Sequence, residues 1–294
     1  MSNTINIKMR DPNWSFAKHF VHCMQYMYYI ASVVINDPDK KYIIQEPNLP
    51  NWKSSYVNSF LEKLLSEYPK IKFSKNINDE NALIFNHKNF YSADFVYNDT
   101  EYLEHMYANW FPYDNSNKLR SIFVKNPNLK TSEIGIIIRR KTRKMLNVDE
   151  LYFKLKQEFK AQINLTSFEN KSFDYQINFF NENRVIISPH GAELCSIPFM
   201  RKNSLVVECA HNEWHPYDFY PGLSCTTHKY HTMLVDDHSC FPKYCSKEYE
   251  EKFGKYKGRS MNQKLNITVD VNKIIHVIKK YLSGKLNSNI CNLF

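Results

Sequence analysis

The sequence has little glycine, and its cysteines follow no regular spacing. Only 6 glycines and 7 cysteines occur among 294 residues, with no C-x-x-C pair, which disfavours zinc-finger and thioredoxin-like proteins. Cys225, Cys240 and Cys245 lie close enough in sequence for a disulfide. Buried free thiols in a reducing compartment are the favoured interpretation.

Long hydrophobic runs are also missing. The longest uncharged apolar stretch, residues 20–35, is interrupted by three polar side chains and is shorter than the ~20 apolar residues that span a bilayer. The first twelve residues are polar and charged, unlike a signal peptide. We therefore expect a soluble, cytoplasmic protein without a membrane anchor, acting in the host cytoplasm if the sequence is viral.

The composition indicates a folded protein with anionic partners. Hydrophobic residues make up 43% of the chain and aromatic residues 15%, enough for a packed core. The formal charge of +9 favours nucleic acid, acidic membranes or phosphorylated small molecules. Because the basic residues are spread along the chain without an arginine-rich tail, we expect a phosphorylated ligand and no nucleic acid.

Hydrophobic periodicity predicts alternating helices and strands in the first half of the chain. Residues 90–113 are aromatic and irregular and receive no assignment, and the polar segment 120–128 is a candidate domain crossover. The predicted helices cover residues 14–35 and 52–66, and the predicted strands cover residues 41–45, 71–73 and 82–85.

The same alternation continues in the second half, where several strands are fully apolar. Such runs are typical of a parallel sheet covered on both faces, so the predicted fold is α/β with two halves, 1–125 and 126–294. The predicted strands are 133–139, 162–168, 184–188 and 205–208, and the predicted helices are 149–159, 173–180, 193–200 and 272–285.

One strand leads into a tight loop that suits a ligand. Ligands of open α/β sheets bind beyond the carboxyl ends of strands, where helix amides face an anion. Gly191 would let the backbone approach a ligand closely, while Ser188 and His190 carry hydrogen-bond donors. On these grounds alone, a phosphate-binding loop and a plain strand-to-helix turn remain equally open.

Two further elements point to the same edge of the sheet. Arg139, Arg140 and Arg143 follow another strand and would neutralise a diphosphate without a metal, since guanidinium groups pair with phosphate oxygens through two donors. Glu208 ends the next strand and would accept hydrogen bonds from ribose hydroxyls. The alternatives are a solvated basic loop for the arginines and a helix cap or surface carboxylate for Glu208.

Taken in order, these residues resemble glycosyltransferase family 61, which includes plant xylosyltransferases and animal O-linked N-acetylglucosaminyltransferases. The resemblance covers roughly residues 134–231, with a looser match over 13–20. It is carried by the arginine segment 138–143, the Asn-x-x-Glu-Leu helix start at 147–151, the helix at 175–177 and the His-Gly-Ala loop at 188–194.

The resemblance implies a GT-B-like fold, with two Rossmann-like domains facing across a cleft. Residues 1–125 would form the acceptor-side domain and 126–294 the nucleotide-sugar domain. The implied reaction is an inverting, metal-independent transfer without a cofactor, from a UDP-sugar, xylose as first choice, to a glycan or glycoprotein hydroxyl. The implied donor-binding residues are Arg139, Arg140, Arg143, Ser188, His190, Gly191, Ala192, Glu208, Trp214 and Tyr217.

The catalytic base would come from the first half of the chain. His19 is the first choice because its segment matches the family's histidine element. Glu46 and Asp94, each at the end of an apolar stretch, are the other candidates.

Three alternative functions are weighed against this one. The first is a metal-dependent GT-A glycosyltransferase, for which Asp37 and Asp39 form an Asp-x-Asp, although Pro38 between them favours a turn. The second is a basic, non-enzymatic module that binds nucleic acid or glycans. The third is a metal hydrolase built from the histidines of the C-terminal third, His211, His215, His228 and His231.

Overall fold

The structure is a computed structural model, and no helix in the part it describes is long and apolar enough to cross a membrane. The described residues are 4–9, 20–46, 55–77, 82–85, 90–97, 101–108, 116–125, 133–211, 220, 223, 229–235, 265–286 and 292–293.

The first half contains a parallel sheet of four strands in the order β3-β2-β1-β4. Helix α1 follows β1 and helix α2 follows β2, so that each helix returns the chain to the start of the next strand. The elements are β1 (Thr4–Met9), α1 (Phe20–Asn36), β2 (Lys41–Gln45), α2 (Ser55–Glu67), β3 (Ile71–Ser74) and β4 (Leu83–Phe85).

A hairpin and a short helix come next. Strands β5 (Phe90–Tyr97) and β6 (Glu101–Ala108) form an antiparallel pair. They lie within residues 90–113, for which the sequence predicts no secondary structure. Helix α3 (Ser116–Phe123) occupies part of the predicted crossover, so the first part of that segment is helical rather than a linker.

The second half contains a parallel sheet of six strands in the order β12-β11-β10-β9-β7-β8. Its strands are β7 (Glu133–Ile137), β8 (Ile163–Thr166), β9 (Asn183–Pro189), β10 (Leu205–His211), β11 (Lys229–Val235) and β12 (Asn292–Leu293). Its helices are α4 (Val148–Phe159), α5 (Phe173–Glu182), a 3-10 helix (Ala192–Phe199) and α6 (Val271–Leu282).

Side chains of the central strands alternate between two hydrophobic layers, as the period of two in a strand requires. On β9, Ile186 packs into the layer formed with α1, α2 and α5, while Val185 and Ile187 pack into the layer formed with α4 and α6. Both faces of the sheet are therefore covered, which explains the fully apolar strands.

The prediction of a parallel α/β fold is confirmed, with corrections to individual elements. Strands β11 and β12 of the second sheet were not predicted. Strand β1 was not predicted, although it lies between β2 and β4 in the first sheet. Residues 193–200 were predicted as an α-helix, but the structure has a 3-10 helix with Pro198 inside it. Proline has no amide hydrogen to donate, which disfavours a regular α-helix at this place.

One hydrophobic core joins the two sheets. Its buried side chains come from α1, α2 and α3 of the first half and from α5 and the 3-10 helix of the second. Phe60 of α2 stacks on Phe123 of α3 with ring centroids 4.6 Å apart, and Tyr56 of α2 meets Phe173 of α5 edge to face at 4.5 Å.

A buried hydrogen bond crosses this core. The Tyr28 hydroxyl of α1 donates to the Cys195 carbonyl of the 3-10 helix at 2.5 Å. A 3-10 helix would pair that carbonyl with the amide of residue 198, but Pro198 has no N–H group. The tyrosine therefore supplies the hydrogen bond that the helix cannot make for itself.

We expect Tyr28→Phe to lower the free energy of unfolding by about 1–3 kcal/mol, because it leaves a buried carbonyl without its donor. Urea unfolding followed by circular dichroism measures the change. Tyr152→Phe on α4 is the matched control, since no described residue hydrogen-bonds the Tyr152 hydroxyl. Equal stability of Tyr28→Phe and the wild type would contradict this role for the bond.

Candidate functional site

The loops of the candidate site follow two neighbouring strands. Strands β7 and β9 pair in parallel, with Ile136 opposite Ile187, so their carboxyl ends meet at the same edge of the sheet. The arginine segment follows β7, and the His190-Gly191 loop follows β9. The sequence prediction that these two segments come together is therefore reproduced by the fold.

Gly191 lies directly against an ion pair. Arg139 Nη1 donates to Glu193 Oε2 at 2.6 Å, and Arg139 Nε donates to the Thr142 carbonyl at 3.0 Å. A Cβ atom at position 191 would lie 2.1 Å from Arg139 Nη1 and 2.2 Å from Glu193 Oε2. Since Gly191 has extended backbone, with φ at 176°, no backbone strain favours glycine here, but any larger residue would displace the ends of the Arg139 and Glu193 side chains.

A buried carboxylate holds the histidine of the loop. Glu208 is 0% exposed, His190 is 7% exposed, and Glu208 Oε1 contacts His190 Nδ1. The His190 amide also donates to the Cys209 carbonyl at 2.8 Å, which extends the pairing of β9 and β10 into the loop. Glu208 thus fixes the orientation of the imidazole ring.

Arg143 brings a second guanidinium group to this network. Burial lowers the pKa of Arg143 and the charge of Arg139 lowers it further, while Glu193, Tyr220 and Glu208 act in the opposite direction. Its φ of 58° lies in the left-handed region, which costs a non-glycine residue about 1–2 kcal/mol. The surrounding structure therefore holds Arg143 in a strained backbone conformation beside the other charges.

The arginine segment is anchored at its end by Asn147. Asn147 Nδ2 donates to the Val269 carbonyl at 2.9 Å, and Asn147 Oδ1 accepts from the Val269 amide at 2.9 Å. Next to it, the Leu146 amide donates to the Ile267 carbonyl at 2.8 Å. These bonds tie the end of the loop to the segment before α6.

Sequence reasoning missed Tyr220 and Cys195. Tyr220 is buried, and its ring centroid lies 5.2 Å from that of His190. Its hydroxyl forms a hydrogen bond with the Cys195 thiol. Burial raises the pKa of Tyr220 and that of Cys195 well above their ordinary values, so both stay neutral. Neither residue carries a local sequence signal, because both contacts depend on the tertiary fold.

The remaining predicted donor residues differ in their placement. Ser188 is fully buried and its hydroxyl donates to the Pro189 carbonyl at 2.9 Å. Ala192 begins the 3-10 helix, and Arg140 is exposed on the loop. Ligand contacts of these three residues remain predictions. Trp214 and Tyr217 lie outside the described residues.

The candidate bases belong to the first half of the chain. Glu46 directly follows β2, and its amide donates to the Ser74 carbonyl at 3.0 Å, so it stands at the carboxyl edge of the first sheet. Asp94 lies on β5, opposite Glu104. His19 lies outside the described residues.

Among the described residues, no group of three or more potential metal ligands lies together. Asp37 and Asp39 precede β2, and the Tyr42 hydroxyl donates to the Asp37 carbonyl at 2.6 Å. This is the turn that the sequence favoured, at the amino end of the strand. His211 ends β10 and His231 lies on β11 opposite Val207, while the predicted partners His215 and His228 lie outside the described residues.

All three cysteines in the described part of the chain are buried and free: Cys23, Cys195 and Cys209. Burial raises the pKa of Cys23 to about 12 and raises that of Cys209 further. This supports the interpretation of free thiols for these three. Cys225, Cys240 and Cys245 lie outside the described residues.

We expect Arg139 and Glu193 to be energetically coupled in a double-mutant cycle of Arg139→Gln and Glu193→Gln. Their side chains are 17% and 20% exposed, so solvent screens the pair weakly, and a coupling of roughly 1–2 kcal/mol is expected. Urea unfolding of the four proteins measures it.

Glu150 and Lys154 provide the matched control pair. They are neighbours on α4, 3.4 Å apart and about half exposed, so their coupling should stay below about 0.5 kcal/mol. Additive effects of Arg139→Gln and Glu193→Gln would show that this ion pair does not stabilise the loop.

Comparison with known proteins agrees with the resemblance seen in the sequence. The family model described as Glycosyltransferase 61 matches residues 39–207, more than half of the chain. The match spans both halves, includes Arg139, His190 and Gly191, and ends one residue before Glu208. A search among curated proteins gives no match. The family expected from the sequence is thus confirmed, and the chain belongs to glycosyltransferase family 61.

Proposed function

We propose that this glycosyltransferase is an inverting enzyme that uses a UDP-sugar, with xylose as the first choice, and needs no divalent metal. The acceptor would be a hydroxyl of a glycan or glycoprotein. The observation that carries the proposal is the meeting of Arg139 and Arg143 with the His190-Gly191 loop at the carboxyl edge of the second sheet.

The charge at this edge suits a diphosphate. The segment 139–144 contains five basic residues, and two carboxylates, Glu193 and Glu208, act on it. The local surplus is therefore positive, which favours an anionic leaving group. Buried or half-buried guanidinium groups stabilise such charge more strongly than solvated ones, because water screens them less.

In the proposed reaction, the acceptor oxygen attacks the sugar C1 while the bond from C1 to the diphosphate oxygen breaks. A general base takes the acceptor proton, and the electron pair of the broken bond leaves with the nucleotide diphosphate. Arg143 and Arg139 would stabilise that developing charge. His190, fixed by Glu208, would contact the donor, and Glu208 would act by orienting His190.

The domain division also remains a proposal. We assign residues 1–125 to the acceptor side and 126–294 to the donor side, in a GT-B-like arrangement. Supporting this assignment, Glu46 follows β2 at the carboxyl edge of the first sheet, as the arginine loop follows β7 in the second. Parallel sheets bind ligands at that edge.

We expect Arg143→Gln to weaken UDP binding by about 10- to 100-fold, the effect of one lost charge-assisted hydrogen bond in a site of low exposure. Isothermal titration calorimetry measures the dissociation constant. Arg140→Gln is the matched control, because Arg140 lies on the same loop but is exposed, and its effect should stay below about threefold. Equal effects of the two variants would contradict the role of Arg143.

We expect transfer to continue unchanged in excess EDTA, because the arginines take the place of a metal in the proposed site. The measurement is sugar transfer to a glycan acceptor with EDTA and then with added Mn²⁺. Loss of activity in EDTA that Mn²⁺ restores would contradict the metal-independent mechanism and favour the GT-A alternative.

We expect His19→Ala to lower kcat by at least about 100-fold, since general-base catalysis contributes that much or more. UDP affinity should not change, because the base acts on the acceptor. Glu46→Gln and Asp94→Asn serve as controls and should retain most of the activity. If one of these controls is the inactive variant, that residue replaces His19 as the base.

A further inference from the structure

Basic side chains gather at the amino ends of the strands in the second sheet, the edge opposite the candidate site. Helices α4 and α6 both end at this edge, because each leads into a strand of the parallel sheet. Since β9 has seven residues, the edge lies about 20 Å from the His190-Gly191 loop. The exposed residues of this surface, which we call the basic edge, are Lys160, Arg184, Lys202, Lys280, Leu282 and Lys285.

Hydrogen bonds of Tyr281 bring three segments of the basic edge together. The Tyr281 hydroxyl of α6 accepts from Arg184 Nε at 2.9 Å and donates to the Asn203 carbonyl at 2.6 Å. Arg184 lies at the start of β9, and Asn203 follows Lys202 in the turn before β10. The end of α6 therefore lies beside the starts of both strands, so these charges belong to one surface.

The ends of the two helices complete the surface. Lys279 Nζ of α6 pairs with Glu158 Oε1 of α4 at 2.5 Å, two residues before the exposed Lys160. The Lys285 amide donates to the Lys280 carbonyl at 2.9 Å, which keeps the segment after α6 against the end of the helix. Lysines from α4, from α6 and from the segment after it are thus exposed at the same edge.

Acidic side chains offset little of this charge. Among the described side chains of the second half at this edge, the carboxylates are Glu158, which pairs with Lys279, and the half-buried Glu182. The dipole of α6 favours lysine in its last turn, which accounts for Lys280 but not for the basic residues outside the helix. The surplus is positive, and such a surface favours an anionic partner.

An exposed leucine among these charges favours a lipid surface over nucleic acid. Leu282, the last residue of α6, is 51% exposed, whereas the Tyr281 ring beside it is buried. No aromatic ring in the described part of this edge is exposed, and single-stranded nucleic acid is usually bound by stacking on such rings. Lysines around an exposed apolar side chain are typical of surfaces that lie on anionic membranes, where the apolar group enters the boundary of the acyl chains.

We propose that the basic edge docks on an anionic membrane surface. The lysines and Arg184 meet the lipid headgroups, and Leu282 enters the layer below them. In this orientation the strands run away from the membrane, and the His190-Gly191 loop stands about 20 Å above it. The carboxyl edge of the sheet then faces away from the lipid, so its ligands arrive from solution.

Sedimentation of the full chain with lipid vesicles tests the proposal. Vesicles of phosphatidylcholine with about one part in three phosphatidylserine should bind the protein at low salt. Pure phosphatidylcholine vesicles should not bind it, and high sodium chloride should release it from the anionic ones. Binding that is equal for both vesicles, or absent from both, would overturn the proposal.

A double variant, Lys280→Gln with Lys285→Gln, tests whether the basic edge makes the contact. It should weaken vesicle binding by at least about tenfold, because each basic residue near an anionic membrane contributes about fivefold. Lys72→Gln with Lys75→Gln is the matched control, since both lysines are exposed in the first half of the chain. The control should weaken binding less than about threefold, and equal effects of the two double variants would overturn the proposal.

Leu282→Ser tests the apolar part of the contact. It should weaken binding by at least about threefold, because less apolar surface leaves water on docking. Leu165→Ser is the control, because Leu165 is 42% exposed on β8 and lies outside the basic edge, so binding should not change. Equal binding of Leu282→Ser and the wild type would contradict the proposed insertion.

A fluorescent single-stranded oligonucleotide of mixed sequence tests nucleic acid as the other occupant. Oligonucleotide binding that the double variant at Lys280 and Lys285 abolishes, in a protein that does not bind anionic vesicles, would assign the basic edge to nucleic acid and overturn the proposal. All variants should keep the wild-type Tm, because each substituted side chain is largely exposed. Because no sugar transfer is measured, these outcomes do not depend on the proposed enzymatic function.

Discussion

The buried carboxylate of Glu208 is the constraint on which the candidate site depends. A carboxylate with no exposure is stable only when hydrogen bonds and positive charge replace its water, and here His190 and Arg143 supply them. The His190 loop must therefore follow β9 closely along β10, as its bond to Cys209 confirms. Gly191 then passes against Arg139, where a side chain would displace the Arg139–Glu193 ion pair. One buried charge thus fixes the positions of both loops.

The same loop connects the site to the core between the sheets. The 3-10 helix begins at Ala192 and is buried from Leu194 to Phe199, so its first turn belongs to the site and its last to the hydrophobic core. Tyr28 satisfies the carbonyl of Cys195, and Tyr220 bonds the thiol of the same residue. The geometry of the His190-Gly191 loop is therefore coupled to packing contributed by α1 of the first half. This is why a residue far from the chemistry, such as Tyr28, contributes to holding the site.

Of the six strands in the sheet of the second half, the sequence predicted β7, β8, β9 and β10, which alternate with helices, and missed β11 and β12. Strand β1 was missed although Ile5, Ile7 and Met9 alternate with polar residues, which is typical of a strand with one buried face. Pro198 is a sequence signal against a regular α-helix over residues 193–200. The mutual contact of His190 and Glu208 was not predictable, because it requires the register of β9 on β10. The contact of Tyr220 with His190 was not predictable either, because it also depends on the tertiary fold.

The partly buried arginines at the carboxyl end of the second sheet lie close to two carboxylates. At the carboxyl end, Glu193 pairs with Arg139, and the charges of Glu193 and Glu208 act on Arg143, so the protein itself offsets part of the positive charge of this loop. In the proposed function, a diphosphate would share Arg139 with Glu193, which would lower affinity but would require little reorganisation when charge develops.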